Sequence, residues 1–131
     1  LKALQIQEEA LGAKHPDLAI TYNNLGNVYS AKDDYGRAEE LYLKALRIQE
    51  EVLNANHSDL AQSYNNLGNV YFNKGDYSQA EEFHLKALRI HEVLDAKQPE
   101  LATSYSNLGS LYNHKGEYSR AEELYLKALR I

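Results

Sequence analysis

The sequence predicts an all-α array of antiparallel helix pairs, seven helices stacked side by side as a solenoid, and three observations carry that prediction. A block of about 42 residues recurs: "YNNLGNVY" at 22–29 returns unchanged at 64–71 and as "YSNLGSLY" at 105–112, and "LKALRI" closes each block at 43–48, 85–90 and 126–131. Residues 15–48 and 57–90 share 24 identities in 34 positions. Within each block the apolar residues recur at helical spacing, and turn residues stand between the two helical runs.

The block boundaries fall at residues 1–14, a partial unit holding a second helix only, then 15–56, 57–97 and 98–131. In the first full unit, residues 16–32 place Leu18, Tyr22, Leu25 and Tyr29 on one face. Pro16 suits a first helical position, where its missing N–H is harmless, and Asp17 sits at the positive end of the helix dipole. Ser58 with Asp59, and Pro99 with Glu100, repeat the arrangement, and His15 and His57 read as caps or linker residues. Residues 35–53 form the second helix. Its apolar positions, Ala38, Leu41, Tyr42, Ala45, Leu46 and Ile48 among them, cover more than half its circumference, which predicts burial against two neighbours. Arg37, Glu40, Lys44, Arg47 and Glu51 form its solvated face, with Glu40 and Lys44 at a favourable i,i+4 spacing.

Between the two helices, Gly75 and Gly116 suit a left-handed cap, and Asp33 holds that place in the first unit. Gly26, Gly68 and Gly109 recur inside the first helices, each costing about 1 kcal/mol against alanine. The equally small Ala38, Ala80 and Ala121 suggest close backbone approach where the paired helices cross. The third unit begins one residue early, since Leu85 to Leu126 is 41 positions where earlier intervals are 42. A deletion inside a helix would rotate everything after it by about 100°. The linker is therefore expected to absorb it, with Leu94 in the place of Val52, Asp95 ending the helix and 96–98 as a shortened connection.

Composition removes several classes. The formal net charge is -5, which leaves no basic stripe for phosphate neutralisation, so nucleic acid is not an expected partner. The 0 Cys leave no disulfide framework or thiolate metal site, which fits a reducing, cytoplasmic setting. No apolar run reaches the roughly 18 residues of a membrane span. The first and last residues, Leu1 and Ile131, lie inside the same repeated element, so the chain reads as an excerpt of a longer protein.

The repeated residues resemble the tetratricopeptide repeat (TPR), whose pattern is a bulky residue, Leu-Gly and an aromatic, then Ala, an aromatic and Ala on the second helix. Here that pattern is Tyr22, Leu25, Gly26, Tyr29, Ala38, Tyr42 and Ala45; then Tyr64, Leu67, Gly68, Tyr71, Ala80, His84 and Ala87; then Tyr105, Leu108, Gly109, Tyr112, Ala121, Tyr125 and Ala128, with His84 the single departure. The unit length and the "HPDLA" segment at 15–19 are similar to the longer repeats of kinesin light chains. The resemblance implies a right-handed superhelical solenoid whose first helices line a concave groove, and a groove that binds an extended peptide.

Opposite the apolar stripe of the first helices lie Asn23, Asn24 and Asn27, then Asn65, Asn66, Asn69 and Asn73, then Ser106, Asn107, Ser110 and His114. Asparagine is a modest liability inside a helix, and its amide offers the donor and acceptor that complement an extended main chain. Asn24, Asn66 and Asn107 are the residues expected to hold a peptide backbone, and they resemble the asparagine ladders of other peptide-binding members of the family. The lysines and arginines with which some members grip chaperone C-terminal carboxylates are absent: Asn23, Asn65 and Ser106 stand there, with Ala31, Asn73 and His114 further along. The groove is therefore expected to be nearly neutral.

No residues point to catalysis, a cofactor or a metal. Glu81 and His84 form one Glu-x-x-His, where di-iron chemistry needs two with further carboxylates. His91 is expected to face solvent, and the 11 Tyr to serve packing with their hydroxyls at a polar rim. Two functions follow: an interaction module holding an extended peptide segment along the asparagine face, or a structural array that spaces or oligomerises attached domains. Residues 1–11 and the last helix leave apolar faces, which predicts end-to-end self-association.

Overall fold

The computed structural model describes residues 16–94 and 98–131. Among them the chain forms six α-helices: α1 (Pro16–Ala31), α2 (Tyr35–Val52), α3 (Ser58–Asn73), α4 (Tyr77–Val93), α5 (Gln98–His114) and α6 (Tyr118–Leu129). The helix expected in residues 1–11, the seventh, lies outside the described residues, as does His15. Consecutive helices pack in sequence, α1 on α2, α3 on α4 and α5 on α6, with α2 also against α3 and α4 against α5. The broad apolar face of α2 thus meets two neighbours, as its width requires.

Each intra-pair turn is closed by a backbone bond of the Schellman type, Asp34 N to Tyr29 O, Asp76 N to Tyr71 O and Glu117 N to Tyr112 O, each 2.9 Å. The residue at the bend takes positive φ in all three, 63° at Asp33, 83° at Gly75 and 80° at Gly116. Asp34 and Asp76 then cap the second helices by accepting from the backbone N–H of Arg37 and Gln79, both at 3.3 Å. His57 caps α3, its Nδ1 accepting from Asp59 N at 3.0 Å. In Asp33→Gly, relief of the left-handed strain offsets the added chain entropy and the lost Tyr35 hydroxyl bond to Asp33 Oδ1 (2.9 Å). Urea denaturation is expected to find this variant within about 0.5 kcal/mol of the parent, whereas Gly75→Val should lose at least about 1 kcal/mol.

The core is a run of buried leucines and small residues, Leu18, Leu60, Leu67, Leu108 and Leu111 with Ala38, Ala45, Ala80, Ala87 and Ala121. The repeat also writes a ladder of cations over aromatic rings: Lys44 over Tyr22, Lys86 over Tyr64 and Lys127 over Tyr105, at 5.7, 5.5 and 5.8 Å from the centroids. Lys44 thus lies on a ring of the paired helix, a destination that its spacing from Glu40 did not show.

Adjacent units are tied by polar contacts in register. Lys74 of one turn reaches Glu39 of the preceding unit, and Lys115 reaches Glu81 at 2.9 Å while the Tyr112 hydroxyl donates to the other Glu81 oxygen at 2.6 Å. Burial pushes the Glu81 carboxyl up, but the bonds from Tyr112 and Lys115 outweigh it and hold the group below the usual range. The Tyr112 phenol is pushed up to about 12 by burial and by the carboxylate it binds.

The missing residue falls in the linker. Gln49 Oε1 accepts from the Ser63 hydroxyl across the first inter-unit boundary, 14 residues apart, and His91 Nδ1 meets Ser104 Oγ at 2.9 Å across the next, 13 apart. The contact is the same on both sides of the deletion, so both helices keep their register. Leu94 is as exposed as Val52, 44% against 43%. The helix ends at Val93, two residues before Asp95, which with residues 96 and 97 lies outside the described residues, and Gln98, expected in the connection, already belongs to α5. His91 is a correction: it is buried against Ser104, not solvent-facing, because it stands where Gln49 stands in the unit before.

Candidate functional site

The face formed by α1, α3 and α5 carries the predicted asparagines, and the structure divides them into open and engaged groups. Asn24, Asn69 and Asn73 are exposed, and Asn66 is half-buried with its Oδ1 accepting from Gln62 Nε2 at 3.2 Å. Asn27 is exposed while its Oδ1 accepts from the Tyr42 hydroxyl. Asn23 is half-buried: its Nδ2 donates to Ser63 Oγ at 3.3 Å, and its buried Oδ1 has no partner among the described residues. Ser106, Asn107 and Ser110 are half-buried, and His114 is exposed, its Nδ1–H donating to the Ser110 carbonyl at 3.0 Å with its ring edge-on to Phe72.

Asn65 differs from its expected place. It is buried in the lining of a groove pocket, and its Oδ1 faces His84 Nδ1 at 2.9 Å, so this amide also ties the helix pair. An amide oxygen only accepts, so His84 carries its proton on Nδ1. Burial pushes the His84 imidazole down to about 4. The recurrent glycines explain why the ring fits: a Cβ at Gly68 would lie 2.6 Å from His84 Nε2, one at Gly26 2.7 Å from Tyr42 Cε1 and one at Gly109 3.1 Å from Tyr125. The close partner of each glycine is therefore the ring of the second helix, not the small Ala38, Ala80 or Ala121.

Three pockets lie between successive first helices. One of about 240 Å³ brings together Asn23, Asn24, Asn27, Gln62 and Asn66, with Gln49 at its floor and the Asp59 carboxylate at its edge. A second, about 390 Å³, gathers Asn69, Asn73, Asn107 and Ser110 around His84 and Phe72. A third, about 300 Å³, lies at the starts of α3 and α5 and holds Asp59 and Glu100 with Asn65, His91 and Thr103. The face is neutral through its middle but acidic along the rim where these helices begin. That corrects the expectation of neutrality throughout; it follows from the carboxylates that favour helix N-termini. His84, His91 and Gln49 were missed as groove-floor residues, although Gln49 and His91 align in the repeat opposite the aligned Ser63 and Ser104.

This geometry defines a class, the helical-hairpin repeat solenoid whose first helices share one continuous polar face. The chain belongs to the tetratricopeptide repeat family, whose model matches residues 1–51 and 59–131. Among solved structures, BtubC (BKLC) from P. vanneervenii matches with TM-score 0.92 and 29% identity over 98% of this chain and 52% of that one. A kinesin light chain-like protein of Podosopora anserina, with nearly identical TPR-like repeats, matches with TM-score 0.78 and 25% identity over 98% and 61%. The N-terminal domain of stress-induced protein-1 from C. elegans shares the fold, with TM-score 0.70 and 23% identity over 88% and 84%. The chain thus spans 52% of BtubC and 61% of the Podosopora protein. No curated protein matches significantly. No described helix is long and apolar enough to cross a membrane. Tetratricopeptide repeats generally mediate protein–protein interaction and are typically non-enzymatic scaffolds.

Proposed function

We propose that the chain is a protein–protein interaction module that holds an extended peptide segment along the face of α1, α3 and α5. The observation that carries this reading is the clustering of exposed and half-buried amides in successive pockets between first helices, Asn24 with Asn66 in one and Asn69 and Asn73 with Asn107 in the next. Each amide presents a donor and an acceptor, which matches a peptide unit and selects little for sequence. Asn23, Asn27 and Asn65 hold the paired or neighbouring helices, and Ser106, Ser110 and His114 flank the third unit's share of the face. A cytoplasmic setting accords with the absence of cysteine. Titrating a random extended peptide library against the parent and against an N24A/N66A/N107A variant tests the reading. Binding should fall at least tenfold in the variant, and equal binding by both would refute the role of these amides.

A second reading has its own observation. Leu43 packs against the central core and Leu46 is buried on α2, and Leu85 and Leu88 pack into the adjoining core from α4, while the equivalent Leu126 and Leu129 on α6 are exposed, Leu129 by 81%. We propose that this 131-residue stretch, taken by itself, associates with a second copy through the α6 face, in keeping with a spacing or oligomerising scaffold. Sedimentation velocity is expected to show concentration-dependent association that L126E/L129E abolishes. A strict monomer at high concentration would remove this reading.

A further inference from the structure

At the position that faces the first-helix glycine, the outer units carry Tyr42 and Tyr125 and the middle unit carries His84. The exchange shortens the side chain and removes a hydroxyl, and two polar groups lose their partners as a result. In the first unit the Tyr42 hydroxyl donates to Asn27 Oδ1; the equivalent amide in the middle unit, Asn69, receives no such bond and has no partner among the described residues. His84 is 2% exposed, and the proton that Nδ1 directs at Asn65 Oδ1 leaves Nε2 with a bare lone pair. Nε2 likewise has no partner among the described residues. Both residues line the pocket of about 390 Å³, whose other walls include Phe72, Asn107 and Ser110.

We infer that this pocket takes one neutral side chain bearing an N–H or O–H donor, from a peptide extended along the groove, with the donor directed at His84 Nε2. The inference rests on the peptide-binding reading and adds a position of side-chain selectivity to a face that otherwise reads main chain. No charged residue lines the pocket, so a carboxylate or ammonium would be desolvated there without a counter-charge. An aliphatic side chain would cover Nε2 and the Asn69 amide and leave both unpaired. A donor-bearing side chain satisfies Nε2, and a carboxamide satisfies Asn69 as well. Burial holds the imidazole neutral near pH 7, so the acceptor is always present there.

The test pans a displayed library of random nonapeptides at pH 7 against the immobilised parent chain, H84Y and H84F. The parent should enrich peptides sharing Gln, Asn, Ser, Thr or Tyr at one position, and replacing that residue by alanine or methionine should weaken binding at least tenfold. H84Y places at this site the residue that both neighbouring units carry there, so the variant is expected to fold. It fills the pocket and should bind peptide with the preference reduced to under threefold. H84F keeps the ring, lacks the acceptor, and should lose the preference too. Peptides enriched without a donor-bearing position, or a preference that survives in H84Y, overturn the pocket while leaving groove binding intact. Enrichment of no peptide by the parent overturns both readings.

Discussion

Acidification from pH 6.5 to 4 is expected to remove about 3 kcal/mol of stability through His84 alone. The imidazole is buried against Gly68 and Asn65, and burial lowers it from 6.5 to about 4. The sign follows from which state binds the proton: below pH 6.5 the unfolded chain protonates this group while the folded chain does not, so its contribution is intact above 6.5 and lost as pH falls toward 4. The drop from 6.5 to about 4, at about 1.4 kcal/mol for each tenfold change in proton affinity, gives the magnitude. Urea denaturation at a series of pH values should show the slope in the parent and its reduction by that amount in H84Y. An equal slope in H84Y would show that His84 is not held neutral by the fold.

Gly26→Ala and Gly68→Ala are each expected to destabilise by about 1–2 kcal/mol, against the helix propensity that favours alanine by about 1 kcal/mol. The new methyl would stand 2.7 Å from the Tyr42 ring or 2.6 Å from the His84 ring. Neither ring can retreat, since Tyr42 is buried and bound to Asn27, and His84 is buried and bound to Asn65. Gly109→Ala meets Tyr125 at 3.1 Å, and that ring is exposed enough to yield, so this variant should lie within about 0.5 kcal/mol of the parent. Thermal or urea unfolding of the three variants checks the order. Equal effects at all three sites would contradict the ring-against-glycine account.

What the sequence made legible was whatever repeats locally. The helices, the left-handed bend at Asp33, Gly75 and Gly116, and the linker as the site of the deletion all follow from spacing and turn chemistry within one unit. Contacts between helices were less legible, because helical periodicity assigns a residue to a face but does not name what packs there. Spacing alone puts His91 toward solvent, whereas Ser104 lies opposite it, and the recurrent glycines suggest backbone crossing, whereas their partners are rings. Asn65 and Asn66 adjoin in sequence, yet one turns inward to His84 and the other stays at the groove. Asn23, at the same repeat position as Asn65, is engaged too, with Ser63, while Asn24 is exposed, so the roughly 100° between neighbouring helical residues makes the division and the Tyr-to-His exchange at position 84 sets only the partner of Asn65.

Side-chain amide NMR reads, residue by residue, whether a peptide occupies the asparagine face. Adding a peptide selected from the random library to ¹⁵N-labelled protein should shift the NH₂ resonances of Asn24, Asn66, Asn69 and Asn107, and leave the outward faces of α2 and α4 unchanged. Shifts confined to α6, or to the lysine-bearing faces of α2 and α4, with the four amides unmoved, would contradict that placement.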